Sequence, residues 1–83
     1  MEKSLYSRRI GDLARLLREA REAAGLRQSD LAEKLGKPQP FVSRYEAGQR
    51  RLDLMELESV CRVLGIRLSD LVKRFEMMDT PDE

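Results

Sequence analysis

Apolar residues recur three and four apart along most of the chain, and no stretch alternates apolar and polar at the period of two that a half-buried strand requires. β-branched residues are scarce as well, so the pattern predicts an all-α domain. Ile10, Leu13, Leu16, Leu17, Ala20 and Ala24 form one stripe and predict a first helix from about Ile10 to Ala24, stopped by Gly25. A second helix of about two turns is expected from Gln28 to Leu35, with Leu31, Ala32 and Leu35 inward and Gly36 at its end. The third runs from Gln39 or Pro40 to Ala47. Pro40 suits a first turn, where its missing N–H costs nothing, and it biases Gln39 toward the cap position. Asp53 followed by Glu56 is a capping pair that opens a fourth helix with Leu54, Leu57, Val60, Cys61 and Leu64 inward before Gly65. Ser69 is the expected cap of a fifth helix presenting Leu68, Leu71, Val72 and Phe75. Residues 1–9 then form an N-terminal arm, 10–75 the folded domain, and 76–83 an acidic tail around Pro81.

With 83 residues, 41 % hydrophobic and 37 % charged, the chain fits one small, soluble core rather than a disordered or membrane-spanning polypeptide. No apolar run is long enough for a transmembrane helix, and the start lacks the basic-then-apolar form of a signal peptide. The single cysteine, Cys61, has no internal partner and suits a reducing cytoplasm. The absence of histidine leaves no zinc ligand set and no Ser/His or Cys/His pair. Neither an enzyme nor a metal or other cofactor is therefore expected.

Net charge is only +1, but it is unevenly distributed. Residues 1–51 carry twelve Lys and Arg against seven acids, a balance of +5, and residues 52–83 carry four against eight, a balance of −4. That asymmetry points to a polyanion-binding face in the first part and a different task for the second.

The most informative segment is QSDLAEKLGKPQPFVSRYEAG, Gln28 to Gly48. Two short helices here are separated by a few residues. Small Ala32 stands where the second helix crosses closely over the first, Gly36 falls in the turn between them, and Val42 and Tyr45 plug the second helix into the core. At 100° per residue, Phe41, Val42 and Tyr45 share one side of that helix and Gln39, Pro40, Ser43 and Arg44 the other. Arg and Gln side chains form bidentate bonds with guanine and adenine edges, and short Ser43 permits close approach, so this polar face is a candidate base-reading surface. Gly48, Gln49, Arg50 and Arg51 follow the helix, where loop amides and both arginines are placed for phosphates, with minor-groove insertion as the other reading. Arg21 continues the stripe of Leu13 and Leu17, and Glu46 follows Val42 by one turn. Both lean toward the core, where charges require partners, the alternative being a solvated, unpaired arrangement.

Through LLREAREAAGLRQSDLA, LG, FVSRYEAGQRR and LESVCRVLGIRLSDL, about Leu13 to Leu71, the chain resembles the Cro and phage-repressor (XRE) helix-turn-helix family of bacterial regulators. The resemblance implies a five-helix lambda-repressor-like fold, a positioning helix from Gln28 and a recognition helix from Gln39. By the same resemblance Gln28 holds a DNA phosphate, Gln39, Pro40 and Arg44 read bases in the major groove, and Arg21 and Glu46 form a salt bridge between the first helix and the recognition helix. Arg27 and Pro38 depart from the pattern by standing where a Ser or Thr cap is usual. Each lost cap costs about 1 kcal/mol unless a phosphate contact by Arg27 and the pre-set φ of Pro40 compensate.

These readings combine into a cytoplasmic transcriptional repressor that binds double-stranded DNA as a homodimer on a palindromic operator, with no membrane partner. Leu71, Val72, Phe75, Met77 and Met78 exceed what a short terminal helix needs and are the expected dimer interface, the alternative being that they complete the monomer core. The rival function is that of an antitoxin-type protein binder. Residues 8 and 9 serve either as a DNA-contacting arm or as a tail.

Overall fold

The computed structural model describes residues 5–78 and contains five helices: α1 (Leu5–Ala23), α2 (Gln28–Leu35), α3 (Gln39–Glu46), α4 (Leu54–Leu64) and α5 (Leu68–Met78). The described residues contain no strand, in agreement with the all-α reading. None of these helices is long and apolar enough to cross a membrane.

Apolar stripes from all five helices meet in one core. Leu17 of α1, Leu31 of α2, Val42 of α3, and Val60 and Cys61 of α4 are completely enclosed, and Leu71 anchors α5 among them. Helix α3 lies against α1 and α2, while α4 joins α2 to α5. This arrangement presses the inner face of α3 onto the core and leaves its opposite face to solvent. Ala32 is buried at the tight α2–α3 crossing, where a longer side chain would force the helices apart.

The helix ends follow local chemistry. The Lys37 N–H donates to the Ala32 carbonyl at 2.9 Å as the chain turns out of α2, and Gly36 has φ 68°, a conformation that costs glycine little. Pro38, with φ −67° and ψ 152°, is the cap residue of α3, so Gln39 is helical and Pro40 sits in the first turn. At α4 the expected reciprocal cap is present: the Glu56 N–H donates to Asp53 Oδ1 at 2.7 Å, and the Asp53 N–H donates to Glu56 Oε1 at 3.0 Å.

Several expectations require correction. Helix α1 begins at Leu5 rather than Ile10, so residues 5–9 of the expected arm are helical. The cause is mainly distant: besides its bond to Asp12 within the helix at 2.9 Å, Arg9 donates to the Phe75 carbonyl at 2.7 Å and lies 3.7 Å from the Phe75 ring centre. These contacts anchor the start of α1 to the end of α5. Ala24 follows the helix and is exposed. Helix α5 starts at Leu68, before Ser69, and continues to Met78, so residues 76–78 of the expected tail are helical. Leu54, assigned inward, is 67 % exposed, because α4 turns Leu57, Val60, Cys61 and Leu64 to the core instead. Residues 1–4 of the arm and 79–83 of the tail lie outside the described residues.

Candidate nucleic-acid interface

The exposed side of α3 carries Gln39, Pro40 and Arg44, with Ser43 half-buried beside them. The Ser43 hydroxyl donates to the Pro40 carbonyl at 3.3 Å. Arg44 makes no ion pair among the described residues, so its planar fork of donors is available. The inward side of the same helix is closed by Phe41, Val42 and Tyr45, with the Phe41 and Tyr45 rings packed edge to face at 5.6 Å. Burial raises the Tyr45 phenol well above its usual range and leaves it protonated at neutral pH.

Beneath this face runs a chain of polar contacts. Arg21 grips Glu46 with two bonds, Nε to Oε2 at 2.7 Å and Nη2 to Oε1 at 3.0 Å, and donates from Nη1 to the Leu26 carbonyl at 2.7 Å. The pair is shielded, with side-chain exposures of 10 % for Arg21 and 3 % for Glu46. Hydrogen bonding to Glu46 raises the Arg21 guanidinium above its ordinary value despite opposing desolvation, so Arg21 stays charged. Gln28 Nε2 donates to Glu46 Oε1 at 3.0 Å, and Gln39 Nε2 donates to Gln28 Oε1 at 3.2 Å. The ion pair thus continues through two glutamines to the solvent face. Each glutamine keeps one amide N–H, and Gln39 also keeps its carbonyl oxygen, for contacts outside the protein.

The remaining cations are placed less uniformly than sequence reasoning expects. The Arg50 guanidinium is turned back onto Glu56, at 3.1 and 3.0 Å, donates to the Arg51 carbonyl at 2.7 Å and covers the Phe41 ring at 4.6 Å. It closes the loop between α3 and α4 rather than pointing outward. Arg51 is exposed, lies 5.2 Å from the Tyr6 ring centre and makes no ion pair among the described residues. Arg27, whose side chain is 82 % exposed, pairs with Asp30 at 3.0 Å, and Asp30 also accepts the Arg27 backbone N–H at 2.9 Å. That bond caps α2 from its third residue and replaces half of the missing cap. Sequence reasoning missed the Arg27–Asp30 pair, although its spacing of three carried a signal, and the Arg50–Glu56 pair, for which six positions across a loop carried none. It also missed Lys37, whose Nζ lies 5.4 Å from the Phe41 ring centre in the turn between α2 and α3.

The surface expected for dimerisation divides in two. Leu71 is 3 % exposed and belongs to the monomer core, which removes it from any interface. Phe75 and Met78 are partly buried against that core, with Phe75 beneath Arg9. Val72 and Met77 are exposed, at 41 % and 77 %.

A helix-turn-helix family model matches residues 17–71. An XRE-family like protein from Pseudomonas syringae pv. tomato shares 44 % identity, with 93 % of each chain covered and a TM-score of 0.83. The restriction-modification controller protein C.AhdI from Aeromonas hydrophila is 32 % identical over 75 % of this chain and 94 % of its own, with a TM-score of 0.70. The clp gene regulator ClgR from Corynebacterium glutamicum is 26 % identical over 84 % and 74 % of the two chains, with a TM-score of 0.77. No curated protein matches.

Proposed function

The chain belongs to the XRE family of helix-turn-helix DNA-binding transcriptional regulators, and on that premise we propose that it is a sequence-specific repressor acting as a homodimer on a palindromic operator. The observation that carries this reading is the outward face of α3, where Gln39, Pro40, Ser43 and Arg44 stand on a helix fixed from below by the Arg21–Glu46–Gln28–Gln39 chain. A side chain locked before contact loses little entropy on binding, and an adenine-reading amide held by a neighbouring amide has one defined orientation.

In this reading Gln39 and Arg44 bond base edges while Pro40 and Ser43 pack closely against them. Gln28 gives its free N–H to a phosphate, and Arg51 pairs with the backbone beside the groove. Arg27 reaches a phosphate by exchanging Asp30, an exposed and readily broken pair. Arg50 supports the loop through Glu56 and contributes to affinity by holding Arg51 in place. Two copies on half-sites about one helical turn apart double the base contacts, and occupancy of promoter DNA in the cytoplasm accounts for repression.

Selection of bound sites from a random DNA pool tests the proposal. A motif with two-fold symmetry is expected, and Arg44→Ala is expected to cost about 1 to 3 kcal/mol on the selected site and to relax preference at one base position. Equal losses on selected and random DNA would remove the base-reading assignment.

A further inference from the structure

Away from the α3 reading face, the first turns of α1 and the loop between α3 and α4 enclose an apolar cleft of about 200 Å³. Ile10, Leu13 and Leu17 line it from α1, and Tyr45 and Leu52 from the opposite side. Leu17 and Tyr45, almost without exposure, form its inner end. Tyr6, 54 % exposed, and the exposed Arg51 mark its mouth, their ring and guanidinium 5.2 Å apart. Two features set the cleft apart from ordinary surface relief. Its lining is mostly hydrocarbon although it lies beside a cationic loop, and the arginine at its mouth has no carboxylate partner among the described residues, whereas neighbouring Arg50 holds Glu56.

An apolar cavity of about 150 Å³ is enough to hold a benzene-sized molecule. A cleft of this size therefore accommodates an aromatic ring or a chain of about six to eight carbons. A guanidinium at the mouth of a hydrocarbon pocket, without an ion pair among the described residues, complements an occupant with an apolar body and one anionic end, because a carboxylate there gains a bidentate charge-assisted contact while the body leaves water.

We propose that this cleft binds a small amphipathic carboxylate, its hydrocarbon body against Ile10, Leu13 and Tyr45 and its carboxylate on Arg51, and that occupancy withdraws Arg51 from DNA. The withdrawal rests on the phosphate role given to Arg51 above; the binding itself does not. Arg51 is the one group that both ligand and operator require, so the two compete. Tyr6 leaves its place beside the Arg51 guanidinium as the ligand enters. The effect is induction by a metabolite-sized molecule within a domain that has no separate sensor among its described residues.

Both tyrosines of the chain line the cleft and there is no tryptophan, so intrinsic tyrosine fluorescence reports directly on it. Octanoate, octanol and acetate are titrated into the full chain, its Arg51→Gln variant and its Ile10→Phe variant, with helicity as a folding control. Octanoate is expected to bind the wild type about tenfold more tightly than octanol, as fits one charge-assisted contact, and acetate not to bind. Arg51→Gln is expected to abolish the preference for octanoate over octanol while retaining octanol binding, and a folded Ile10→Phe to weaken both. Equal affinity for octanoate and octanol, measurable acetate binding, or an undiminished preference in Arg51→Gln overturns the site. In the second arm, saturating octanoate is expected to lower wild-type affinity for the selected DNA about tenfold, the loss of one phosphate contact near 0.1 M salt, and to leave Arg51→Gln unaffected. Octanoate binding with unchanged DNA affinity overturns the competition. Failure of the untreated protein to bind DNA counts against the functional reading instead, since the fluorescence arm does not depend on it.

Discussion

Arg21 and Glu46 form the residue pair on which both stability and recognition depend. Two ions withdrawn from water are tolerable only because each meets the other twice and the spare donors and acceptors are taken by Leu26 and Gln28. Removing one partner leaves the other charged and uncompensated, so Glu46→Ala is expected to destabilise the fold by about 3 to 5 kcal/mol, read from urea unfolding. The double variant Arg21→Met, Glu46→Leu is expected to recover most of that stability, because no charge remains buried. It also leaves Gln28 and Gln39 without their anchor, and DNA affinity is expected to stay low. Recovery of stability and of full affinity together would show that the pair does not position the glutamines. A milder electrostatic effect comes from Asp30 and Glu56. Asp30 is held down at about 2 by the Arg27 side chain and backbone N–H, and Glu56 is lowered by the Arg50 guanidinium and the Asp53 N–H. Both bind protons less readily folded than unfolded, so their contribution is complete above the ordinary carboxylate range near pH 4 and is lost as pH falls below it, in the case of Asp30 through about 2. Urea midpoints measured across that window are expected to fall less steeply in the Asp30→Asn, Glu56→Gln double variant than in wild type.

At the scale of elements, the unit formed by α2, its turn and α3 depends on Gly36. A Cβ there would meet nothing within 4 Å, so the cost of Gly36→Ala is conformational rather than steric. Forcing alanine to φ 68° is expected to lower stability by about 1 kcal/mol, with a normal helical spectrum. A negligible effect would mean that the turn relaxes to another conformation. Gly36 was readable from sequence because the requirement is local: a helix must end within three residues of the next one, and glycine tolerates the needed angle. The Asp53–Glu56 cap was readable for the same reason. The start of α1 was not, since Tyr6, Ser7, Arg8 and Arg9 offer no apolar stripe and the contact that holds them, Arg9 to Phe75, spans 66 positions. The base-reading face followed from turning α3 by 100° per residue. The inward turn of Arg50 did not, because two adjacent arginines look alike until the loop places one over Glu56 and Phe41 and the other beside Tyr6.

The whole molecule raises the question of how two copies meet. Leu71 and Phe75, counted as surplus apolar residues in the sequence, are consumed by the monomer, one in the core and the other under Arg9. What α5 leaves exposed is Val72 and Met77, and a second exposed apolar pair, Leu54 and Met55, stands at the start of α4. Isolated apolar residues are common on monomer surfaces, so exposure alone does not choose between the pairs. Helix α5 is electrically balanced, Asp70 and Glu76 against Lys73 and Arg74, unlike the basic residues 1–51, and a contact through α5 leaves both α3 helices unobstructed for successive major grooves. If α5 forms the contact, Val72→Asp with Met77→Asp is expected to shift the sedimentation equilibrium to monomer with unchanged thermal stability, since neither side chain is part of the core. Phe75→Asp is expected instead to lower stability by removing the ring from Arg9. Because paired half-sites bind cooperatively, the Val72→Asp, Met77→Asp variant should lose far more affinity for a full palindrome than for one half-site. A dimer that survives those substitutions but dissociates in Leu54→Ser, Met55→Ser would place the contact at the start of α4, next to Arg51, and would make the loop that meets the DNA backbone part of the subunit interface.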